Sequence, residues 1–369
     1  MLKIISLVGA RPQFIKAASL SRIFKSQFTE TVDEIIVHSG QHYDDKMSAV
    51  FFSELGIPLP KYNLETGSGS HAQQTAVTIV KLEHILLEEK PNCIVVFGDT
   101  NTTLAGTLAA SKLNIPIAHI ESGLRSFNRD MPEEINRIIT DTLSAFLFCP
   151  TEVGVKNLSH LSSDKSKPAS GLNPWIENVG DIMLDSSLFY SQKTSNKILI
   201  KSGLESNNFV LATLHRDFNT DNKKRLTNIF ETLNMLAMRL PIVMPLHPRT
   251  VQKLKEHNIS NFENIKIIPP VSYLEMLALE AHSKFIITDS GGVQKEAFFL
   301  NKPSIILRNE TEWVEIVNNG NAMLCDADST LIEKGFEHWM SNPKLTYPAF
   351  YGNGNTALHI CSTLVKELS

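Results

Sequence analysis

The chain has 369 residues, which is too long for one ordinary hydrophobic core and indicates two domains. Hydrophobic residues make up 42% and charged residues 20%, as in a globular enzyme. A formal net charge of -4 offers no basic surface for nucleic acid, and no apolar run approaches the roughly 20 residues of a membrane span. We therefore expect neither nucleic acid nor membrane as a partner.

The N-terminal run 2–8 predicts a first strand, because it is too short for a signal peptide and leads straight into a glycine turn. The four cysteines are scattered without CxxC spacing, which fits reduced thiols. Both features indicate a cytoplasmic protein.

Short β-rich runs recur along the chain, mostly separated by helical stretches. Their Val and Ile residues lack clean alternation, which suits strands buried on both faces of a parallel sheet. The predicted strands are 3–8, 33–38, 93–98, 115–121, 145–149, 176–179, 209–215, 241–247, 265–269, 284–288, 304–307 and 322–325. Strands that alternate with helices indicate two doubly wound α/β domains, and the polar segment 162–171 predicts a loop near their junction.

Ligands of such sheets bind outside the carboxyl ends of the strands, so we expect a site in the cleft between the domains. The first strand leads to Arg11 and, about one helical turn later, Lys16. These cations suit a phosphate or a carboxylate, although two solvated charges on an amphipathic helix would look the same.

Three acidic residues in the first half of the chain lie at the ends of predicted strands or at the start of a predicted helix. Asp99 and Glu121 stand at the ends of two predicted strands, and Glu133 begins a helix after Pro132. Paired carboxylates at one edge of a sheet suit general acid/base chemistry. The alternatives are a helix N-cap for Asp99 and an i,i+4 pair of Glu133 with Arg137.

In the second half, two predicted strands end in histidines, His215 and His247, each followed closely by an arginine. This pattern favours a rim that faces an anion. A metal is disfavoured, because the spacing of these histidines and of His38 and His42 matches no metal signature.

The segment Ser290-Gly291-Gly292 lies between a predicted strand and a predicted helix. Two glycines allow close approach of a ligand, and the helix start offers unpaired N–H groups to an anion. Glu296, one turn into the helix, suits a ribose diol, as an acidic residue does in dinucleotide folds. An ordinary strand-to-helix turn is the alternative.

Together these motifs resemble the non-hydrolysing UDP-N-acetylglucosamine 2-epimerase family. The motifs run in order through Gly9-Ala10-Arg11-Pro12, Gly98-Asp99-Thr100-Asn101, His119-Ile120-Glu121-Ser122-Gly123-Leu124-Arg125, Pro132-Glu133-Glu134-Ile135-Asn136-Arg137, Leu214-His215-Arg216, His247-Pro248-Arg249, Ser290-Gly291-Gly292-Val293-Gln294-Lys295-Glu296 and Arg308-Asn309-Glu310-Thr311-Glu312. The resemblance covers nearly the whole chain.

The resemblance implies an α/β protein of the GT-B fold, with two Rossmann-like domains and an interdomain cleft. The N-terminal domain would span 1–171, completed by a C-terminal helix at 355–369, and the UDP-binding domain would span 172–354. It also implies a homodimer that needs no metal or other cofactor, and a role in polysaccharide or lipopolysaccharide biosynthesis.

The same resemblance assigns roles to residues. The catalytic candidates are Lys16, Asp99, Glu121, Glu133, Arg137 and His215. The candidates for binding UDP are Arg11, Ser290, Gly291, Gly292, Glu296 and Arg308.

The implied reaction inverts C2 of a UDP-2-acetamido sugar by elimination of UDP to a glycal and its re-addition. The sequences of segments 10–16 and 311–315 differ from the commonest family pattern. They are more similar to the branch that acts on UDP-2,3-diacetamido-2,3-dideoxy-glucuronate. Three alternatives stay open: a GT-B glycosyltransferase, a hydrolysing epimerase that releases UDP, and a non-catalytic nucleotide-sugar sensor.

Overall fold

The computed structural model describes residues 1–40, 52–163, 174–260 and 262–369. The chain forms two compact units, Met1–Ser186 with Ala349–Ser369 (unit 1) and Ser187–Pro348 (unit 2). Each unit contains a parallel sheet with helices, which confirms the predicted α/β class. In the described parts of the chain, no helix has the length and apolar character needed to cross a bilayer.

Unit 1 contains a seven-stranded sheet in the order β3-β2-β1-β4-β5-β6-β7, and its paired strands are parallel. The strands are β1 Leu2–Val8, β2 Val32–His38, β3 Tyr62–Asn63, β4 Cys93–Phe97, β5 Ile117–Ile120, β6 Phe146–Cys149 and β7 Trp175–Asn178. The helices up to its border with unit 2 are α1 Arg11–Gln27, α2 His71–Glu89, α3 Asn101–Lys112, α4 Pro132–Leu143, α5 Glu152–Ser163 and α6 Ile182–Ser191. Most of the predicted loop 162–171 lies outside the described residues, and its first two positions, Ser162 and Ser163, belong to helix α5 instead.

Unit 2 contains a six-stranded parallel sheet in the order β10-β9-β8-β11-β12-β13. The strands are β8 Val210–Thr213, β9 Ile242–Pro245, β10 Lys266–Ile268, β11 Ile286–Thr288, β12 Ser304–Ile306 and β13 Ala322–Leu324. The helices are α7 Lys197–Lys201, α8 Asp217–Thr220, α9 Lys223–Leu236, α10 Pro248–Glu256, α11 Tyr273–His282, α12 Gly291–Phe299, α13 Val314–Asn318 and α14 Ser329–Met340.

The C-terminal helix, α15 Thr356–Leu368, belongs to unit 1, where it packs against α1. The carboxylate of Asp185 caps its start by accepting hydrogen bonds from the N–H of Thr356 (3.2 Å) and of Ala357 (2.8 Å). These N–H groups have no partner inside the helix, so a buried carboxylate on α6 satisfies them. This contact holds the end of the chain to unit 1.

Each of the twelve predicted strands is present, and the predicted ends agree to within two residues. The sequence did not predict β3, which has only two residues and therefore carries no usable hydrophobic pattern.

In both sheets the strand order reverses beside the first strand of the unit, between β1 and β4 and between β8 and β11. The loops leaving two such strands diverge to opposite faces and open a crevice at their carboxyl ends. Most of the predicted site residues lie just after these four strands or after the strands next to them in each sheet.

Candidate active site

The first strand and its following helix bring Lys16 to the carboxyl end of the unit 1 sheet. Helix α1 starts at Arg11, directly after the turn that ends β1, and Lys16 lies on its second turn. The ammonium of Lys16 forms an ion pair with the carboxylate of Glu121, and their side chains are only 6% and 12% exposed. Two predicted residues from distant parts of the chain are therefore in direct contact.

The turn after β4 passes close to this ion pair. Gly98 has φ +62°, and a Cβ there would lie 3.3 Å from Oε2 of Glu121 and 3.4 Å from Nζ of Lys16. Glu121 has φ +72°, a conformation that costs free energy for a residue with a side chain. Backbone strain of this kind is concentrated at functional sites, and here it aims a carboxylate at the sheet end.

Asp99 forms a second pair, with Arg137 of α4. Its Oδ2 accepts from Nε of Arg137 at 3.0 Å and from NH2 at 2.6 Å, and its backbone carbonyl accepts from Nδ2 of Asn136 at 2.8 Å. Asp99 is the accessible partner, with 32% of its side chain exposed against 6% for Arg137. The turn after β4 therefore presents a carboxylate whose orientation is set by a buried guanidinium from α4.

The alternative explanation of this motif, an i,i+4 pair of Glu133 with Arg137, does not form in the structure. Arg137 instead binds Glu134, at 2.9 Å, because residues three apart also share one helical face. Glu133 is half-buried near the start of α4 and forms no ion pair within the described ranges. It stays a candidate for proton transfer.

Glu134, the residue after Glu133 in the first turn of α4, is a further contributor to this region. It accepts hydrogen bonds from the N–H of Ser126 (2.9 Å) and of Phe127 (3.2 Å). Burial raises the pKa of Glu134, but the Ser126 N–H and the Arg137 guanidinium lower it more, so the net shift is downward. The ionised carboxylate joins the 126–127 loop to α4.

Gln13 is another contributor that sequence reasoning did not identify as a site residue. Its Oε1 accepts from the N–H of Gly9 (2.8 Å) and of Ala10 (3.0 Å), while its Nε2 donates to the carbonyl of Phe97 (2.8 Å). Only an amide both accepts and donates in this way, so a glutamate would lose the contact to Phe97. Gln13 ties the turn after β1 to the end of β4.

In unit 2, a buried aspartate organises the turn that carries His215. Asp289 follows β11 and accepts from the backbone N–H of His215 (3.2 Å) and of Arg216 (3.0 Å), and from Nδ2 of Asn219 (3.2 Å). Asp289 is fully buried, whereas the His215 side chain is 46% exposed. Oδ1 of the carboxylate also lies 3.3 Å from Nδ1 of His215, so Asp289 holds both the backbone and the ring while the imidazole stays partly exposed.

Although part of the ring is exposed, loss of water around the rest of it lowers the pKa of His215, and the nearby Asp289 carboxylate opposes this shift without reversing it. The second predicted histidine has another task, since Nδ1 of His247 accepts from the N–H of Arg249 (3.3 Å) at the start of α10. Arg249 forms ion pairs with Asp217 and Asp221. This His–Arg motif therefore builds local structure, which its sequence could not distinguish from an anion site.

The segment Ser290-Gly291-Gly292 forms the start of α12, as predicted from its glycines. Oγ of Ser290 caps the helix by accepting from the N–H of Val293 at 3.4 Å. Among the residues that the structure describes, a Cβ on Gly292 would come within 4 Å of the Ser290 hydroxyl alone, at 3.9 Å, so its described surroundings are open. Glu296 lies buried on the same helix. Burial is the main cause that raises the pKa of the nearby Tyr273 hydroxyl, and the charge of Glu296 raises it further.

Arg308 follows β12 and forms a bidentate pair with Glu312, with both N···O distances at 3.0 Å. The ammonium of Lys295 lies 4.1 Å from the centre of the Trp313 ring, a cation–π contact. A Cβ on Gly291 would lie 3.7 Å from Nε1 of Trp313 and 3.9 Å from NH1 of Arg308. The 308–313 segment therefore borders the α12 start.

A metal site was not expected. Among the residues with a described position, no group of three His, Cys, Asp or Glu side chains is placed to hold an ion. His42, weighed earlier as a ligand, lies outside the described ranges.

Two parallel sheets with Rossmann strand order, each with polar side chains at its carboxyl end, define an α/β protein of the GT-B class. The chain matches the family model described as UDP-N-acetylglucosamine 2-epimerase over residues 25–365. It is 46% identical over 366 residues to the UDP-2,3-diacetamido-2,3-dideoxy-D-glucuronate 2-epimerase of Pseudomonas aeruginosa, covering 99% of this chain and 100% of that protein.

Solved structures agree with this match. A Methanocaldococcus jannaschii UDP-GlcNAc 2-epimerase in complex with UDP-GlcNAc and UDP superposes with a TM-score of 0.88 at 40% identity, covering 99% of this chain and 100% of that chain. A Neisseria meningitidis UDP-GlcNAc 2-epimerase bound to UDP-GlcNAc gives a TM-score of 0.85 at 30% identity, with coverage of 99% and 100%. The chain belongs to the UDP-N-acetylglucosamine 2-epimerase family. The predicted family, fold class and enzyme class, a UDP-sugar 2-epimerase, are confirmed.

Proposed function

We propose that unit 2 holds the UDP group while unit 1 supplies the groups that move the proton at C2 of a 2-acetamido sugar. The observation that carries this proposal is the pair of carboxylate–cation contacts at one sheet end, Lys16 with Glu121 and Arg137 with Asp99. The buried cations hold both carboxylates in a fixed orientation, which suits groups that accept a proton from a defined position. Glu133 is the third candidate.

Direct removal of the C2 proton is implausible, because no carbonyl lies next to that carbon. The proposed route breaks the C1–O bond as a base takes the C2 proton, leaving a 2-acetamidoglucal and UDP. Protonation of the opposite face of C2 and return of UDP to C1 give the epimer with no net consumption of any reactant. The acid/base candidates must therefore reach both faces of C2.

The leaving diphosphate needs stabilisation as its charge develops. The proposed donors are the start of α12 at Ser290, Gly291 and Gly292, supported by Arg11 and His215. A helix start offers N–H groups to an anion, and the open surroundings of Gly292 allow close approach. Glu296 is proposed to bind the ribose.

The sugar is proposed to be UDP-2,3-diacetamido-2,3-dideoxy-D-glucuronate, with UDP-GlcNAc as the second candidate. The name of the Pseudomonas aeruginosa relative supports the first sugar. The names of the Methanocaldococcus jannaschii and Neisseria meningitidis structures support the second. Arg308 borders the start of α12 and is proposed to help bind UDP. Its bidentate pair with Glu312 holds the guanidinium in place there.

Proton NMR in deuterated water tests the proposal, with each UDP-sugar supplied separately and no acceptor added. We expect the manno epimer to appear and the C2 proton to be replaced by deuterium in the preferred sugar. A product seen only with an added acceptor would establish a glycosyltransferase instead. Free UDP accumulating in step with free sugar would establish a hydrolysing epimerase.

A cytoplasmic homodimer that serves polysaccharide biosynthesis is proposed as the working form. Helix α2 supports the dimer, because Val77, Val80 and Leu87 are 37%, 57% and 53% exposed and share one face of the helix. Sedimentation velocity of the wild type and of Val80→Glu tests this: a monomeric wild type contradicts the proposal.

A further inference from the structure

An exposed aromatic side chain, Phe127, lies in the connection between β5 and α4. It is 80% exposed, more than any other large hydrophobic side chain in the described part of the chain. Its neighbours in the loop, Ser126 and Asn128, are polar. A single exposed apolar side chain is common on protein surfaces, but the backbone that carries this one is unusual.

The backbone of Phe127 is in the left-handed region, with φ +58°. Ten non-glycine residues of the described chain have positive φ, and six of them are Asn or Asp, whose short polar side chains tolerate this conformation. Phe127 is the only aromatic residue of the ten. Its conformation costs free energy, and the exposed ring recovers little of this by burial within its own chain.

A buried carboxylate holds the strained backbone in place. Glu134, 1% exposed, accepts hydrogen bonds from the N–H of Phe127 (3.2 Å) and from both the N–H (2.9 Å) and the Oγ (3.2 Å) of Ser126. Strained backbone persists only where the surrounding contacts over-determine it, and three hydrogen bonds to one carboxylate do so here. The fold therefore fixes a loop that displays an aromatic ring to solvent.

The same carboxylate connects Phe127 to the proposed acid/base groups. NH1 of Arg137 donates to Glu134 at 2.9 Å, and NH2 of Arg137 donates to Asp99 at 2.6 Å. Three consecutive hydrogen bonds thus link the Phe127 backbone to the Asp99 carboxylate. Glu133, the third acid/base candidate, is the chain neighbour of Glu134. The Phe127 loop therefore borders the position proposed for C2 of the sugar.

We propose that Phe127 is a substrate-binding residue that packs against the apolar C–H surface of the sugar, to which the acetamido methyl group contributes. This inference rests on the proposed function, because Asp99 and Glu133 locate the sugar. Ligand sites combine aromatic side chains with a few fixed polar groups, as at this loop. The bound sugar buries the ring that the free protein leaves exposed, which offsets the cost of the strained backbone.

The variant Phe127→Gly separates binding from folding, because glycine adopts positive φ without strain and an exposed ring contributes little to stability. We expect a thermal midpoint equal to or above that of the wild type. For UDP-2,3-diacetamido-2,3-dideoxy-D-glucuronate or UDP-GlcNAc, whichever the wild type epimerises, kcat/KM should fall about tenfold or more. The Kd for UDP, measured by calorimetry, should change by less than about twofold.

Two further variants complete the test. Phe127→Tyr keeps the aromatic ring and should keep kcat/KM within about threefold of the wild type. Lys90→Gly is the matched control, because Lys90 is exposed, has φ +48° and precedes β4, at the end of the unit 1 sheet opposite to the site. It relieves the same kind of strain and should leave kcat/KM unchanged.

Three results would overturn the inference. The first is wild-type kcat/KM in Phe127→Gly, and the second is a lowered thermal midpoint that accompanies the loss of turnover. The third is a smaller species in sedimentation velocity of Phe127→Gly, which would assign the ring to an interface between copies. Polar neighbours disfavour such an interface, since its core needs contiguous apolar side chains.

The proposed function and the role of Phe127 fail in different ways. A wild type that epimerises neither UDP-sugar refutes the proposed function. An active wild type with a fully active Phe127→Gly refutes the role of Phe127 and leaves the proposed function intact.

Discussion

Lys16 and Glu121, 105 positions apart in the sequence, form an ion pair at the carboxyl end of the unit 1 sheet. Lys16 comes from the helix after β1, and Glu121 from the turn after β5. The ammonium restricts the orientation of the carboxylate. An oriented carboxylate at this sheet end suits the proton transfer that we propose for the site.

The first prediction concerns the carboxylate itself. Glu121→Gln keeps the shape of the side chain but removes its ability to take a proton, so kcat should fall about 10²-fold or more. The Kd for UDP, measured by calorimetry, should stay nearly unchanged, because the UDP candidates other than Arg11 lie in unit 2. The surface variant Glu337→Gln is the control and should keep full turnover. Normal turnover in Glu121→Gln would remove this residue from the mechanism.

The second prediction separates backbone strain from contact with the site. Gly98→Ala and Gly56→Ala both place a side chain at positive φ, +62° and +63°, and should cost about 1 kcal/mol of stability each. The Cβ at Gly98 approaches Lys16 and Glu121, whereas no atom of the described residues lies within 4 Å of a Cβ at Gly56. Steady-state kinetics should therefore show a lower kcat for Gly98→Ala alone. Equal kcat values in the two variants would contradict this reading.

The third prediction concerns the buried carboxylate of unit 2. Asp289→Asn replaces an acceptor of several N–H groups by an amide, so the turn at His215 should lose order. Hydrogen bonds to a charged group contribute about 1.5 kcal/mol or more, which predicts a Kd for UDP raised about tenfold. Asp221→Asn, which alters only ion pairs with Arg249 and Lys253, serves as control. Unchanged UDP affinity in Asp289→Asn would count against its role.

The fourth prediction is a pH dependence. The lowered pKa of His215 makes its imidazole neutral at neutral pH in the free protein. A bound diphosphate favours the imidazolium, so UDP binding should take up a proton. The affinity of the wild type relative to His215→Asn should rise as pH falls from about 8 to about 6, since titration of UDP itself cancels in that ratio. A constant ratio would show that His215 takes up no proton when UDP binds and would contradict the prediction.

The fifth prediction concerns stability outside the site. Hydrogen bonds from Lys61, Tyr62 and Lys3 lower the pKa of Glu89 from 4.5 to about 2. A depressed carboxyl pKa stabilises the folded state above about 4.5, and this contribution is lost as pH falls towards 2. Glu89→Gln should therefore lower the thermal midpoint near neutral pH, with the deficit shrinking in acid. The exposed neighbour variant Glu88→Gln should show no deficit, and a Glu89→Gln deficit independent of pH would refute the mechanism.

The sequence predicted local structure correctly where a residue type or pattern is typical of one kind of element. The apolar runs predicted the strands, and Gly291 and Gly292 after β11 predicted a helix start suited to an anion. The partner of Arg137, in contrast, could not be predicted from the sequence. Partners three and four positions apart are equivalent on a helix, so only the fold decided that Arg137 binds Glu134 and Asp99.

By itself the sequence determined the α/β class, the strands and the family, because hydrophobic periodicity and short motifs are local properties of the chain. Only the tertiary structure decided which side chains meet: Lys16 with Glu121, Asp289 with the turn at His215, and His119 with Gly98 and Asp141. These contacts depend on strand order, which brings distant strand ends together. That order is set by packing of the whole sheet and not by any segment alone.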